Sequence, residues 1–106
     1  TISVEEARTL LNSDATGNLV LDVRNPDEYI GELGHIPGSL LIPVAQLPHR
    51  LAELQDYRQR QLICICKAGG RSHTAAGILM QAGFPAVVSI AGGMTRWNEL
   101  KYPTTK

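Results

Sequence analysis

The sequence predicts an α/β fold, a mostly parallel central sheet with helices on both faces. Three observations carry that prediction. Short β-branched or apolar runs alternate with helix signals along the chain. One run, Leu62-Ile-Cys-Ile-Cys66, is apolar at every position, as a strand buried on both faces of a parallel sheet must be. At 106 residues the chain holds one core and no more.

Each element has its own signal. Ser3-Val-Glu-Glu6 is a capping box that opens a helix to about Asn12, and a turn follows over 14–18. Leu19-Val-Leu-Asp-Val23 reads as a strand. Asn25-Pro26-Asp27-Glu28 starts a second helix with an N-cap residue, a proline at the first helical position and acids in the first turn; Gly31 and Gly34 end it. His35-Ile-Pro-Gly38 is a turn, residues 39–42 a short strand, and residues 44–54 carry leucines at helical spacing, with Pro48 confined to the first turns or displacing the start. After the 62–66 strand, residues 71–82 form a helix closed by Gly83, residues 85–90 another strand, Gly92-Gly93 a turn, and residues 94–100 a last helix around Trp97.

Composition narrows the function classes. Ten basic and ten acidic residues cancel, so no polycationic surface invites nucleic acid or anionic lipid. No segment has the length and apolarity of a membrane span, no secretory signal is visible, and the expected location is cytoplasmic. The chain starts at Thr1 with a helix signal almost at once, so residues 1–106 are expected to be a single domain excised from a longer chain. The two cysteines, Cys64 and Cys66, are too few for the disulfide framework of a small secreted domain. As i and i+2 on a strand their Cα atoms would lie about 6.5 Å apart, near the upper limit for a bridge. With His35, His49 and His73 scattered, they make no zinc spacing, and no metal site is expected.

In open α/β sheets the ligand site lies beyond the carboxyl ends of the strands. One segment that falls there carries chemistry. Cys66-Lys67-Ala68-Gly69-Gly70-Arg71-Ser72 leaves a buried strand, turns through two glycines and enters a helix. Such a loop can aim successive backbone N–H groups inward as an anion nest, and the helix N-terminus, Lys67 and Arg71 add positive character. A thiol placed there has a depressed pKa and serves as a nucleophile. The competing reading of the loop alone is inert packing, since strand-loop-helix turns with two glycines are common.

The chain resembles a rhodanese domain over nearly its whole length. Asp22-Val-Arg-Asn-Pro-Asp-Glu-Tyr29 is similar to that family's D-V-R-x-P-x-E-[FY] element, and Gly34-His-Ile-Pro-Gly-Ser39 with Ile42-Pro43 to its G-H-I-P-G-A…I-P element, with Ser39 in place of the usual Ala. Residues 66–72 match the C-x-x-G-x-R-S active loop, and Gly92-Gly93-Met94…Trp97 the closing G-G-x-x-x-W. The resemblance implies a rhodanese-like fold and sulfurtransferase chemistry of the thiosulfate:cyanide type: Cys66 holds the persulfide, and the loop of Lys67, Ala68, Gly69, Gly70, Arg71 and Ser72 cradles it. The loop between Cys66 and Arg71 is one residue shorter than in the phosphatases of related architecture, a ring drawn in for a single sulfur atom rather than a phosphoryl group, which argues against the phosphatase alternative.

The implied cycle needs neither metal nor organic cofactor. A small sulfur donor, thiosulfate or a persulfide, loads Cys66, and a thiol or cyanide accepts the sulfur. The alternative is a sulfur-relay or redox-sensing module whose partner, fused or separate, is a protein; a non-catalytic interaction domain is disfavoured because both Cys66 and Arg71 are present. Asp22 and Arg24 are expected to pair or to cap loops beside the site, His35 to serve its turn, His73 to face outward, and Tyr29 and Trp97 to pack. Arg71 is expected to act mainly as a clamp on the loop, with Asp22 or Glu28 as its anion. Lys67 is either an attractor of anionic donors or a solvated side chain, and Cys64 is buried packing rather than a resolving thiol.

Overall fold

The computed structural model describes residues 1–13 and 17–106; the turn expected over 14–18 lies mostly outside them. The elements run α1 (Val4–Ser13), β1 (Asn18–Asp22), α2 (Pro26–Tyr29), β2 (Leu40–Leu41), two 3-10 turns (Leu47–His49 and Leu51–Tyr57), β3 (Gln61–Ile65), α3 (Gly70–Gln81), β4 (Val87–Ser89) and α4 (Gly93–Glu99). The four strands form one parallel sheet in the order β2-β1-β3-β4. Parallel pairing puts the carboxyl ends of all four at one edge.

Local chemistry explains most boundaries. The capping box of α1 is closed in both directions, Glu6 N donating to Ser3 Oγ at 3.0 Å and Ser3 N to Glu6 Oε1 at 3.1 Å. At the start of α2, Asn25 N donates to Glu28 Oε1 at 3.2 Å. Gly83 ends α3 in the left-handed region at φ +91°. The 44–54 segment departs from expectation. Its leucines are buried at Leu47 and Leu54, but it winds as two 3-10 turns broken at Arg50 (φ −124°) rather than as one α-helix. Pro48 cannot donate to an i−4 carbonyl, so the chain takes short i→i+3 turns instead.

The strand alternation sorts the core into two layers. Leu19, Leu21, Leu62, Cys64 and Cys66 face α3 and the 3-10 segment, packing with Ala75, Leu79, Leu47 and Leu54. Val20, Ile63 and Ile65 face α1 and α4, packing with Val4, Ala7, Met94 and Trp97. Each fully buried aliphatic side chain contributes roughly 1.5–3 kcal/mol, so both faces are firmly held. Trp97 is 1% exposed, and its indole Nε1 donates to Pro103 O at 2.9 Å. Among the described residues no helix is long and apolar enough to cross a membrane.

Candidate active site

Cys66 is the first residue past β3, the strand paired on both sides in the middle of the sheet. The chain then turns through Gly69 (φ +119°) into α3. Gly69 N donates to Cys66 Sγ at 3.0 Å, and Ser72 Oγ lies within hydrogen-bond reach of both the sulfur, at 3.5 Å, and Gly69 O, at 3.1 Å. Burial pushes the thiol up, yet hydrogen bonding by the Ser72 hydroxyl and by the amides of Ser72, Gly69 and Ala68 outweighs it, and the pKa of Cys66 falls below the ordinary thiol value. Cys64 shares the same face two residues earlier. Burial, then the nearby Cys66 charge, push its thiol up to about 12. It is a packing residue in the core layer under α3.

Two ion pairs brace the loop from the side of the first motif. Asp22 and Arg24 are fully buried (0% and 1% exposed) and joined at Nε–Oδ1 2.9 Å and Nη2–Oδ2 2.8 Å. Arg24 uses its remaining donors on Gly34 O at 2.7 Å and Glu28 O at 3.2 Å, so the buried charges are paired and bonded throughout. With Asp22 consumed, Arg71 takes Glu28: Nη1–Oε1 2.6 Å and Nη2–Oε2 2.9 Å, a bidentate fork. These bonds from Arg71 hold the Glu28 carboxyl down at about 2, against partial burial, which raises it. The Asp22–Arg24 pair thus fixes the carbonyl of the residue whose carboxylate anchors Arg71.

A third brace lies opposite. Met94 N donates to Cys66 O at 2.8 Å and Thr95 N to Lys67 O at 3.0 Å, so the first turn of α4 takes up two carbonyls of the loop. Gly93 makes this possible: at φ +53°, a Cβ there would lie 2.3 Å from Cys66 O and 2.6 Å from Lys67 O. The sequence shows Gly92-Gly93 as a turn and a motif, but its anchoring of the loop depends on a close approach that only the fold reveals. Lys67 and Ala68 are exposed at the mouth. His73 is exposed on α3, and His35 stacks on Tyr29 with ring centroids 3.6 Å apart while its Nδ1 lies 2.8 Å from Tyr29 O. Neither belongs to the loop. Among the described residues no group of three or more His, Cys, Asp or Glu could hold a metal ion.

The chain matches the profile of the Rhodanese-like domain over residues 3–100. It is 36% identical over 92 residues to a thiosulfate sulfurtransferase of Pseudoalteromonas translucida, covering 87% of this chain and 84% of that one. It is also 36% identical over 97 residues to a Bacillus subtilis protein named as a candidate sulfur carrier; the match covers 92% of this chain but only 50% of that protein, so the chain spans half its length. A rhodanese-related protein from Thermoplasma volcanium superposes with a TM-score of 0.76 at 35% identity, covering 88% of each chain. The sulfurtransferase relatives support an activity of that general kind. With 98 consecutive residues under one family profile and the same fold in its solved relatives, the chain belongs to the rhodanese-like domain family.

Proposed function

We propose that this protein is a sulfurtransferase that carries a sulfane sulfur as a Cys66 persulfide. The Cys66 thiolate attacks the outer sulfur of thiosulfate; the new S–S bond forms as the old one breaks, and sulfite leaves with the bonding pair. A persulfide donor reacts in the same way and releases its thiol. The terminal sulfur then passes to a thiophilic acceptor, cyanide or a thiol, and the Cys66 thiolate returns. Amides of the loop, Gly69 N first, stabilise the negative sulfur through both steps in the manner of an oxyanion hole.

The observation that carries this reading is the environment of Cys66 Sγ: a sulfur at the end of a buried strand whose pKa is lowered by hydrogen bonds despite burial. The test is intact-mass measurement after incubation with thiosulfate. The wild-type chain is expected to gain the mass of one sulfur atom and lose it on adding cyanide, Cys64→Ser to behave alike, and Cys66→Ser to gain nothing. Loading that survives Cys66→Ser would overturn the assignment.

A second reading has one specific observation in its favour. The Bacillus subtilis relative named as a candidate sulfur carrier is twice as long as the aligned stretch, which supports a relay in which a protein cysteine supplies or takes the sulfur. It uses the same Cys66 chemistry and differs only in the partner.

A further inference from the structure

The charges around the loop almost all cancel in bonded pairs. A cleft of about 220 Å³ beside the loop is lined by Arg24, Glu28, Gly31, Glu32, Leu33 and Lys67. Arg24 is neutralised by Asp22, and Glu28 by Arg71. Arg71, the loop's arginine, therefore brings no uncompensated positive charge to an incoming donor. Among the described residues, the two charged groups of this cleft without an ion-pair partner are Lys67 and Glu32, both exposed and of opposite sign.

Resting on the sulfurtransferase reading, we infer that Lys67 and Glu32 set the donor selectivity of this site by charge, Lys67 favouring and Glu32 opposing a dianionic sulfane donor. Coulomb attraction scales with the product of the charges, so a change at either residue acts twice as strongly, in free energy, on a dianion as on a monoanion. Neutralising Lys67 leaves Glu32 as the unbalanced charge and shifts preference toward donors of lower charge. Neutralising Glu32 leaves Lys67 unbalanced and shifts preference toward thiosulfate.

Two donors of the same reacting group separate charge from chemistry. Thiosulfate is a dianion that releases sulfite; methanethiosulfonate is a monoanion that releases methanesulfinate. In both, the thiolate of Cys66 bonds to the outer sulfur and the leaving group takes the electron pair. The ratio of kcat/KM for the two is measured at low salt, where exposed charges are least screened, in the wild type, Lys67→Gln and Glu32→Gln. For Lys67→Gln the expected loss is about threefold on methanethiosulfonate and about tenfold on thiosulfate, the range for one exposed charge and its square. For Glu32→Gln the ratio is expected to move by a similar factor in the opposite direction. A ratio unchanged in either variant, with the wild type active, overturns the inference and leaves the sulfurtransferase reading standing. A wild-type chain that takes sulfur from neither donor overturns both.

Discussion

Cys64 and Cys66 stand two residues apart on one strand face, and their environments drive them to opposite states. Burial pushes Cys64 up to about 12, while Cys66 falls below the ordinary thiol value although its side chain too is covered. The strand supplies neither difference. Inside β3 the backbone donors are spent on neighbouring strands, so none is left for the Cys64 thiol. One residue beyond the strand the ladder ends, and amides freed by the turn point at the sulfur. The lesson is that depth alone does not set a thiol's chemistry; the count of uncommitted N–H groups does.

The largest way to break this contrast is to disturb the loop from behind. Gly93→Ala puts a methyl 2.3 Å from Cys66 O and forces a left-handed backbone on a residue that resists it. The loop must move to make room. Turnover is expected to fall by at least an order of magnitude and unfolding stability by about 2 kcal/mol or more, read by denaturant titration. A fully active, equally stable Gly93→Ala protein would show that α4 does not hold the cradle.

A smaller break comes from the other side. Arg71→Lys keeps the charge and loses the fork to Glu28. The expected result is a clear fall in kcat and a lower melting temperature, with only a modest rise in thiosulfate KM; a shift in KM alone would make Arg71 an anion receptor instead. The same pair has a pH signature. Glu28 titrates near 2 in the folded chain and near the usual carboxylate value of about 4.3 when unfolded, so its contribution is complete above that value and is lost as pH falls toward 2. The melting temperature of Glu28→Gln is therefore expected to lack part of the wild type's decline across that window.

The mildest test sharpens the contrast without perturbing it. In a Cys64→Ser background, the rate of Cys66 alkylation plotted against pH is expected to reach its half-maximum below the ordinary thiol value of about 8.5, and in a Cys66→Ser background Cys64 is expected to stay unreactive until the chain unfolds. A Cys66 profile that rises only above that value would remove the contrast.

How much of this was legible in the sequence follows from the range of the interactions involved. The capping box at Ser3 and Glu6, the apolar run of β3 and the glycine closing α3 are local signals, and the structure has them where the spacing predicts. Leu47 and Leu54 are buried as their spacing suggests and Leu51 partly so, but periodicity alone does not reveal the break at Arg50 or the 3-10 winding on either side of it. The sequence leaves both Asp22 and Glu28 as anions for Arg71. It also leaves Asp22 and Arg24 either paired or capping loops; the fold shows them paired, which decides for Glu28. Gly93 is the hardest case, because its backbone approaches a carbonyl 27 positions earlier in the chain, a distance no local pattern encodes.

The hydrogen bonds from Met94 and Thr95 to the carbonyls of Cys66 and Lys67 also place the site in time. A chain emerging from the ribosome delivers the two thiols nearly thirty residues before the segment that orients the peptides around one of them. Closing so long a loop is slow compared with forming α3 locally. Until the last helix docks, the carbonyls of Cys66 and Lys67 lack the amides of Met94 and Thr95, and the turn is held only by the Arg71–Glu28 fork and its own hydrogen bonds. The cradle is therefore expected to be completed only when α4 docks, the last of its braces to be delivered along the chain.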